Sequence, residues 1–397
     1  MAESLTIAVV SDLHAYDYPI DKEPPPSTLC TLDSETPHNR HPIAALSHLI
    51  HTEPALRSNI LMCCGDMGDK ARPAGINYTW QKLQALKSEL GASELFVTPG
   101  NHDVDSRHKH NDFDAKGYLQ GLTPRFPFED EHIWDRFWSR NYVVMTMPHY
   151  RVVVLNTSAY HGGQPEEYEH GRISTRTVDQ LKNELVELET REPRTINILL
   201  CHHHPHNYGD LEENDQSLMS GGNRLLQTLD QLDSDWIVIH GHKHHPRIAY
   251  AAGDSSALVF SAGSLCAPNG PSTGIRNQFY LLTFPLESDT LIGKFQAWDW
   301  IPNIGWQLAQ RTSGLPSSGG FGNRQKPNAI AKEINEIFLA RSQPYLSWSE
   351  ITGALPLVEY VLPDSLEKVI KRLRETHGIQ TSRNTDGTSP LQIGKSM

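Results

Sequence analysis

Five short blocks, each closing an apolar run, carry clustered Asp, Asn and His: Ser11-Asp12-Leu13-His14, Gly65-Asp66-Met67-Gly68-Asp69, Gly100-Asn101-His102-Asp103, Cys201-His202-His203-His204-Pro205 and His240-Gly241-His242-Lys243-His244. Carboxylates, an amide oxygen and imidazoles suit hard to borderline dications, Mn foremost with Fe, Zn, Co or Ni as alternatives, over a thiolate-preferring ion. One carboxylate shared by two mixed N/O donor sets holds two cations about 3.5–4 Å apart. A hydroxide between two such Lewis acids is available near neutral pH and lies in line with a phosphorus whose oxygens the same metals hold. Taken singly, each block reads more simply as a turn, because Asn, Gly and Asp favour turns. Five such clusters at five strand ends point instead to one site.

The elements that must position these blocks are legible as apolar runs at residues 7–10, 60–64, 95–97, 152–155, 196–201, 236–239, 258–260 and 279–282. Between them lie segments of helical period: Trp80, Leu83, Leu86 and Leu90 stopping at Gly91, then Val178, Leu181, Leu185 and Leu188, then Leu225, Leu229 and Leu232. Strands covered by helices gather ligands beyond their carboxyl ends, where neighbouring loops converge on one crevice. The later strands have few helices between them, so part of the sheet is expected to be mixed or antiparallel. The expected architecture is an α/β two-sheet sandwich flanked by helices.

Together the blocks resemble those of the calcineurin-like metallophosphoesterase superfamily, whose pattern runs DxH, GDxxD, GNHD, an HxP-type block and GHxH, in that order over roughly residues 7–282. The resemblance implies that Asp12, His14 and His244 bind one metal and Asn101, His203 and His242 the other, with Asp66 bridging. It implies His102 as the acid that protonates the leaving oxygen, with Asp103 positioning its ring. His203 is chosen because the family's ligand stands two residues before the proline; His202 and His204 are the alternatives. Asp69 completes the GDxxD spacing and is expected to orient a loop or a neighbouring ligand. A weaker similarity, in Leu155-Asn156-Thr157 followed by His170-Gly171-Arg172-Ile173-Ser174, is to the cyclic-nucleotide phosphodiesterase branch and suggests a nucleotide-like substrate.

Around this core, Lys243 is the foremost candidate to touch substrate because it lies between two ligands, ahead of Tyr16, His206, Asn207 and Arg172. Residues 107–110 read as a solvated basic loop or a phosphate-steering patch, and 20–42 as a loop or lid. Cys63 and Cys64 read as core residues.

Domain boundaries are expected at 1–310 for the catalytic domain, 311–326 for a linker rich in turn formers, 327–378 for a small helical appendage and 379–397 for a disordered polar tail. In the appendage, Ile330, Ile334 and Ile337 mark one helix, and Asp364 with Glu367 a capping box for another.

The net charge of −12 over 397 residues argues against a chain that coats nucleic acid through a broad basic face. Two bound dications would still place about +4 at one spot for a phosphate to find. Five cysteines form an odd set, no targeting segment or membrane-spanning run is visible, and a reducing, cytoplasmic setting fits best. The leading expectation is a phosphodiesterase with a nucleotide-like substrate, using a metal-bridging hydroxide and His102. The alternatives are a DNA or RNA nuclease working with a partner protein, and a non-catalytic scaffold that docks partners or self-associates through its C-terminal helices.

Overall fold

In a strand, successive side chains face opposite ways, and that alternation decides the layers here. In β1 (Ser4–Val10), Ile7 and Val9 join one buried cluster while Ala8 and Val10 join another. The computed structural model describes the chain except residues 1–2, 19–24, 107–113, 115, 163–169, 208–214, 254–255, 269–273, 311–313, 342, 385–386, 388 and 396–397. The basic stretch 107–110 and part of the loop 20–42 therefore lie outside the described residues.

The remaining elements of the first half are α1 (Pro42–Thr52), β2 (Ile60–Cys63), α2 (Pro73–Leu90), β3 (Glu94–Val97), α3 (Gly117–Gln120), α4 (Glu131–Arg140), β4 (Tyr142–Thr146), β5 (Tyr150–Leu155), α5 (Thr175–Arg191) and β6 (Ile196–Leu200). The second half adds α6 (Gly222–Asp230), β7 (Trp236–His240), β8 (Arg247–Tyr250), β9 (Leu258–Ser261), β10 (Gln278–Pro285), β11 (Gly293–Ile301), β12 (Gly305–Leu308) and β13 (Ser318–Phe321). Beyond these lie α7 (Pro327–Leu339), β14 (Tyr345–Ser347), α8 (Trp348–Ala354), α9 (Pro363–His377), β15 (Ile379–Arg383) and β16 (Pro390–Lys395).

Two sheets form the expected sandwich, ordered β12-β11-β10-β1-β2-β3, with β13 also on β11, and β4-β5-β6-β7-β9-β8. Strands β1, β2 and β3 run parallel, as do β5, β6, β7 and β9, whereas β10 to β13 pair antiparallel, which is the mixed character expected of the late strands. The inner core joins Ile7, Val9 and Met62 of one sheet to Val152, Ile198 and Ile239 of the other. On the outer face of the first sheet, Val10, Leu61 and Cys63 meet Leu46 of α1 and Trp80, Leu83 and Leu86 of α2. On the outer face of the second, Val153, Leu199 and Val238 meet Leu181 and Leu185 of α5 and Leu225 and Leu229 of α6. Helix α2 ends at Gly91 with φ 72°, the left-handed C-terminal cap expected of a glycine.

Three expectations for the C-terminal third are corrected. Within the span read as a linker, Ser318–Phe321 is a strand that closes the edge of β11, with Phe321 buried in the inner core. The tail read as disordered contains β15 and β16, which pair antiparallel with each other and, through β16, with β14. Their polar residues face out, while Ile379 and Ile393 supply the buried face that holds them against Ile330, Ile334, Ile351, Val369 and Leu373. Helix α9 has no side-chain cap: Pro363 begins the helix, placing Asp364 inside its first turn and leaving Glu367 to pair with Arg383 at 2.7 Å. The appendage does hold a capping box, at Ser347 and Glu350 of α8.

Candidate active site

The five blocks all emerge at carboxyl ends of parallel strands. Asp12 and His14 follow β1, Asp66 follows β2, Asn101 and His102 follow β3, His202 follows β6, and His242 and His244 follow β7. The chain reverses sharply there: Asp12, His14, Asp66, His242 and His244 all have φ between 48° and 73°. A non-glycine residue enters that left-handed region at a cost, so surrounding structure must enforce it. Backbone bonds across the blocks do so, with Asp12 N–H donating to Gly65 O at 3.0 Å and His14 N–H to Asp66 O at 2.9 Å. Two glycines permit the close approach. A Cβ on Gly100 would stand 2.0 Å from Asp66 Oδ1, and one on Gly241 would stand 2.5 Å from Asp12 Oδ2.

The side chains converge into two donor groups that share Asp66. In the first, His14 Nε2 and His244 Nε2 lie 3.1 Å apart, and Asp12 Oδ1 is 3.3 Å from His244 Nε2. In the second, His202 Nε2 is 3.1 Å from Asn101 Oδ1 and 3.2 Å from His242 Nδ1, which is itself 3.1 Å from Asn101 Oδ1. Asp66 Oδ2 lies 3.7 Å from His14 Nε2 and 3.3 Å from His202 Nε2. Nitrogen and oxygen donors thus crowd together in buried surroundings, an arrangement that invites cations. The donor set, imidazole nitrogen with carboxylate and amide oxygen, fits divalent metals of the borderline class.

Within the triple-histidine block, the structure brings His202 to Asp66 and Asn101, while a ring nitrogen of His203 also lies within 4.8 Å of donor atoms of His202 and His242, so that His203 stays in the donor cluster. His202 Nδ1 donates to Cys64 O at 2.8 Å, which leaves Nε2 aimed into the cluster. His203 Nδ1 instead meets Thr157 Oγ1 at 2.9 Å, and its ring stacks on His161 at 5.2 Å. His204 turns to a third place, with Nε2 2.9 Å from Asp215 Oδ2. Three adjacent residues leaving a strand end point three ways, so spacing to Pro205 could not select among them.

A second correction concerns the partner of His102. Its Nδ1 lies 3.0 Å from Asp69 Oδ1, and the other oxygen of Asp69 accepts from Tyr18 Oη at 2.5 Å. Asp103 does not hold the ring. Its carboxylate accepts from the backbone N–H of Gly68 at 3.0 Å and of Gly100 at 2.9 Å, tying the second and third blocks together. The GDxxD spacing was the signal that could have assigned Asp69 to His102. Tyr18 carried no comparable signal. Lys243 reaches Asp215 and Ser217, each at 3.1 Å.

The electrostatics of the cluster match a site built for positive charge. Burial would raise Asp66, but the charge and hydrogen bond of His202 draw it well below the usual carboxylate range. Burial disfavours the His202 cation, yet the Asp66 charge and hydrogen bond push it up to about 9. Asp103, buried and close to the Asp66 charge, rises to about 7. Burial and the neighbouring His242 hold His203 well below its ordinary value.

Residues 5–246 match the family model described as Calcineurin-like phosphoesterase, a span that runs from β1 through the last ligand block and covers more than half of the chain. The chain belongs to the calcineurin-like phosphoesterases. It is accordingly a metal-dependent phosphoesterase. A second family model, wHTH-Calcineurin_assc, matches residues 319–375 of this phosphoesterase, a winged helix-turn-helix-like helical region that holds α7, α8 and most of α9 and that the β15–β16 hairpin follows. Among solved structures, purple acid phosphatase PPD1 from yellow lupin (Lupinus luteus) aligns with TM-score 0.51 and 14% identity over 81% of this chain and 54% of that one, a likeness of fold. A dimetal phosphatase from Danio rerio aligns with TM-score 0.48 and 12% identity over 76% of this chain and 98% of that one. A putative 5'-nucleotidase from Staphylococcus aureus aligns with TM-score 0.40 and 15% identity over 71% of this chain and 51% of that one. No curated protein matches the sequence. Among the described residues, no helix is long and apolar enough to cross a membrane.

Proposed function

We propose that this phosphoesterase is a phosphodiesterase acting on a nucleotide-like ester, with two divalent cations, Mn²⁺ foremost, in the cluster. Asp12, His14 and His244 would hold one and Asn101, His202 and His242 the other, with Asp66 between them. The observation that carries the reading is the position of Asp66, whose Oδ2 lies within 3.7 Å of an imidazole nitrogen of each donor group. Cations bound there supply Lewis acidity toward the phosphate oxygens and lower the pKa of an attacking water. The protein's own part is to fix the donors and to manage the leaving group. His102 engages Asp69 through Nδ1, which turns Nε2 toward the cluster as the proton donor for the departing oxygen. Asp69, held in turn by Tyr18, keeps the ring oriented, and against burial the Asp66 charge followed by the Asp69 hydrogen bond favours its protonated form.

The nucleotide-like substrate rests on the similarity of residues 155–157 and 170–174 to the cyclic-nucleotide phosphodiesterase branch. A net charge of −12 also disfavours a polymer as substrate. The odd, mostly core-placed set of cysteines supports a cytoplasmic setting. A second reading, a DNA or RNA nuclease working with a partner protein, is favoured by the winged helix-turn-helix match over residues 319–375. Hydrolysis of a chromogenic phosphodiester with Mn²⁺, alongside cyclic nucleotides, dinucleotides, phosphomonoesters and oligonucleotides of graded length, separates the two. Turnover should vanish with chelator and fall by about a thousandfold or more in Asp66→Asn. Undiminished turnover in that variant removes the proposed bridge, and cleavage that grows with oligonucleotide length favours the nuclease.

A further inference from the structure

Lys243 stands between two candidate ligands, in a turn where His242 and His244 are both left-handed, with φ 73° and 52°. Its backbone is therefore pinned beside the cluster, and only its side chain decides where the ammonium goes. That ammonium is folded onto Asp215, at 3.1 Å, and onto Ser217 Oγ, also at 3.1 Å. Asp215 is a built acceptor. Its side chain is 4% exposed, and besides Lys243 it takes His204 Nε2 at 2.9 Å, the Ser217 N–H at 3.0 Å and the Ser217 hydroxyl at 2.5 Å. The His204 ring in turn lies 5.8 Å from that of His242, nearly parallel to it. One carboxylate thus joins the triple-histidine block to the turn that carries the last two ligands.

A lysine tethered beside a dication site is a local competitor. Its charge repels the incoming metal, and Asp12, which accepts from the N–H of the adjacent His242 at 3.2 Å, is a carboxylate that a released ammonium would be drawn to. We propose that Asp215 is a positioning residue that clamps the Lys243 ammonium away from Asp12, so that two divalent cations can load into the cluster. The clamp rests on the two-cation reading of the site, and it concerns charge placement in addition to the fold of the loop.

The test is a Mn²⁺ titration by calorimetry on the metal-stripped, full-length protein, comparing wild type, Asp215→Asn, Lys243→Met and the double variant. Asp215→Asn keeps the shape of the side chain and should weaken Mn²⁺ binding by about tenfold or more. Lys243→Met alone should stay within about threefold of wild type, and adding it to Asp215→Asn should return affinity to that range, because the competitor is gone. Asp215→Asn and the double variant carry the same amide in place of the carboxylate, so any change in the bonds to His204 and Ser217 is common to both and rescue by Lys243→Met cannot come from restored structure. A double variant as weak as Asp215→Asn, or an Asp215→Asn protein that binds as wild type does, overturns the clamp. If wild type binds no Mn²⁺, the two-cation site fails and the clamp with it. Should Asp215→Asn not fold, Asp215→Ser removes the carboxylate and leaves a smaller polar side chain in its place. Weakened binding that Lys243→Met restores supports the clamp, and unchanged binding overturns it.

Discussion

The division of labour among His102, Asp69 and Asp103 shows how closely a residue's neighbours determine its role. Asp103 follows His102 directly in sequence, yet its carboxylate is consumed by two backbone N–H groups, whereas Asp69 meets the ring from another strand end. If His102 protonates the leaving oxygen, its removal should depend on how much help that oxygen needs. His102→Ala should lower kcat by about 10²–10⁴ on an ester with an alkyl leaving group, and far less with p-nitrophenolate. Asp69→Asn should show the same contrast in weaker form, while equal losses on both substrates would deny His102 its acid role. His202 offers a separate test. Its pKa in the metal-free protein is raised to about 9, so a cation binding at Nε2 must displace a proton at neutral pH. The sign is then fixed: Mn²⁺ affinity should climb by up to about tenfold per pH unit toward pH 9 and level off above it. Calorimetry in buffers of different ionisation enthalpy reads the released proton, and an affinity independent of pH between 7 and 9 would show that no proton leaves His202 on binding.

At the scale of elements, the strand ends were the most legible part of the chain. Each ligand block follows an apolar run, and parallel pairing of those runs gathers the blocks without further information. What spacing could not resolve lay where the backbone leaves regular structure. His202, His203 and His204 differ by one residue each, and their directions are set by contacts with Cys64, Thr157 and Asp215 that no local pattern encodes. The strands β15 and β16 were missed for a related reason: each places a single isoleucine in the appendage core, too little apolar content to register without the partner strand. Tight loops also make the glycines exacting. Alanine at position 241 would put a Cβ 2.0 Å from Ser11 Oγ and 2.5 Å from Asp12 Oδ2. Gly241→Ala should therefore cost about 1–3 kcal/mol in stability and displace Asp12, lowering Mn²⁺ affinity together with the thermal midpoint. A loss of stability with unaltered metal binding would show that Asp12 is not a ligand.

For the whole molecule, the junction between the sandwich and the winged unit is held by several kinds of contact. Lys294 pairs with Glu359 at 2.9 Å and Arg324 with Asp235 at 2.7 Å, both partly exposed pairs expected to contribute about 1 kcal/mol or less each. Between the two units lies a cleft of about 740 Å³, lined by Arg247, Phe295 and Leu315 on one side and Trp348, Val361 and Leu366 on the other. Its wall includes His245, the residue after His244. The strand β13 belongs to the sandwich even though it lies within the glycine-rich stretch read as a linker. A stop codon at 311, where composition alone would divide the gene, therefore strips a strand and the core residue Phe321 from the catalytic half. A stop codon at 327 leaves that half its full sheet, and only this longer fragment should express as a soluble, metal-binding protein.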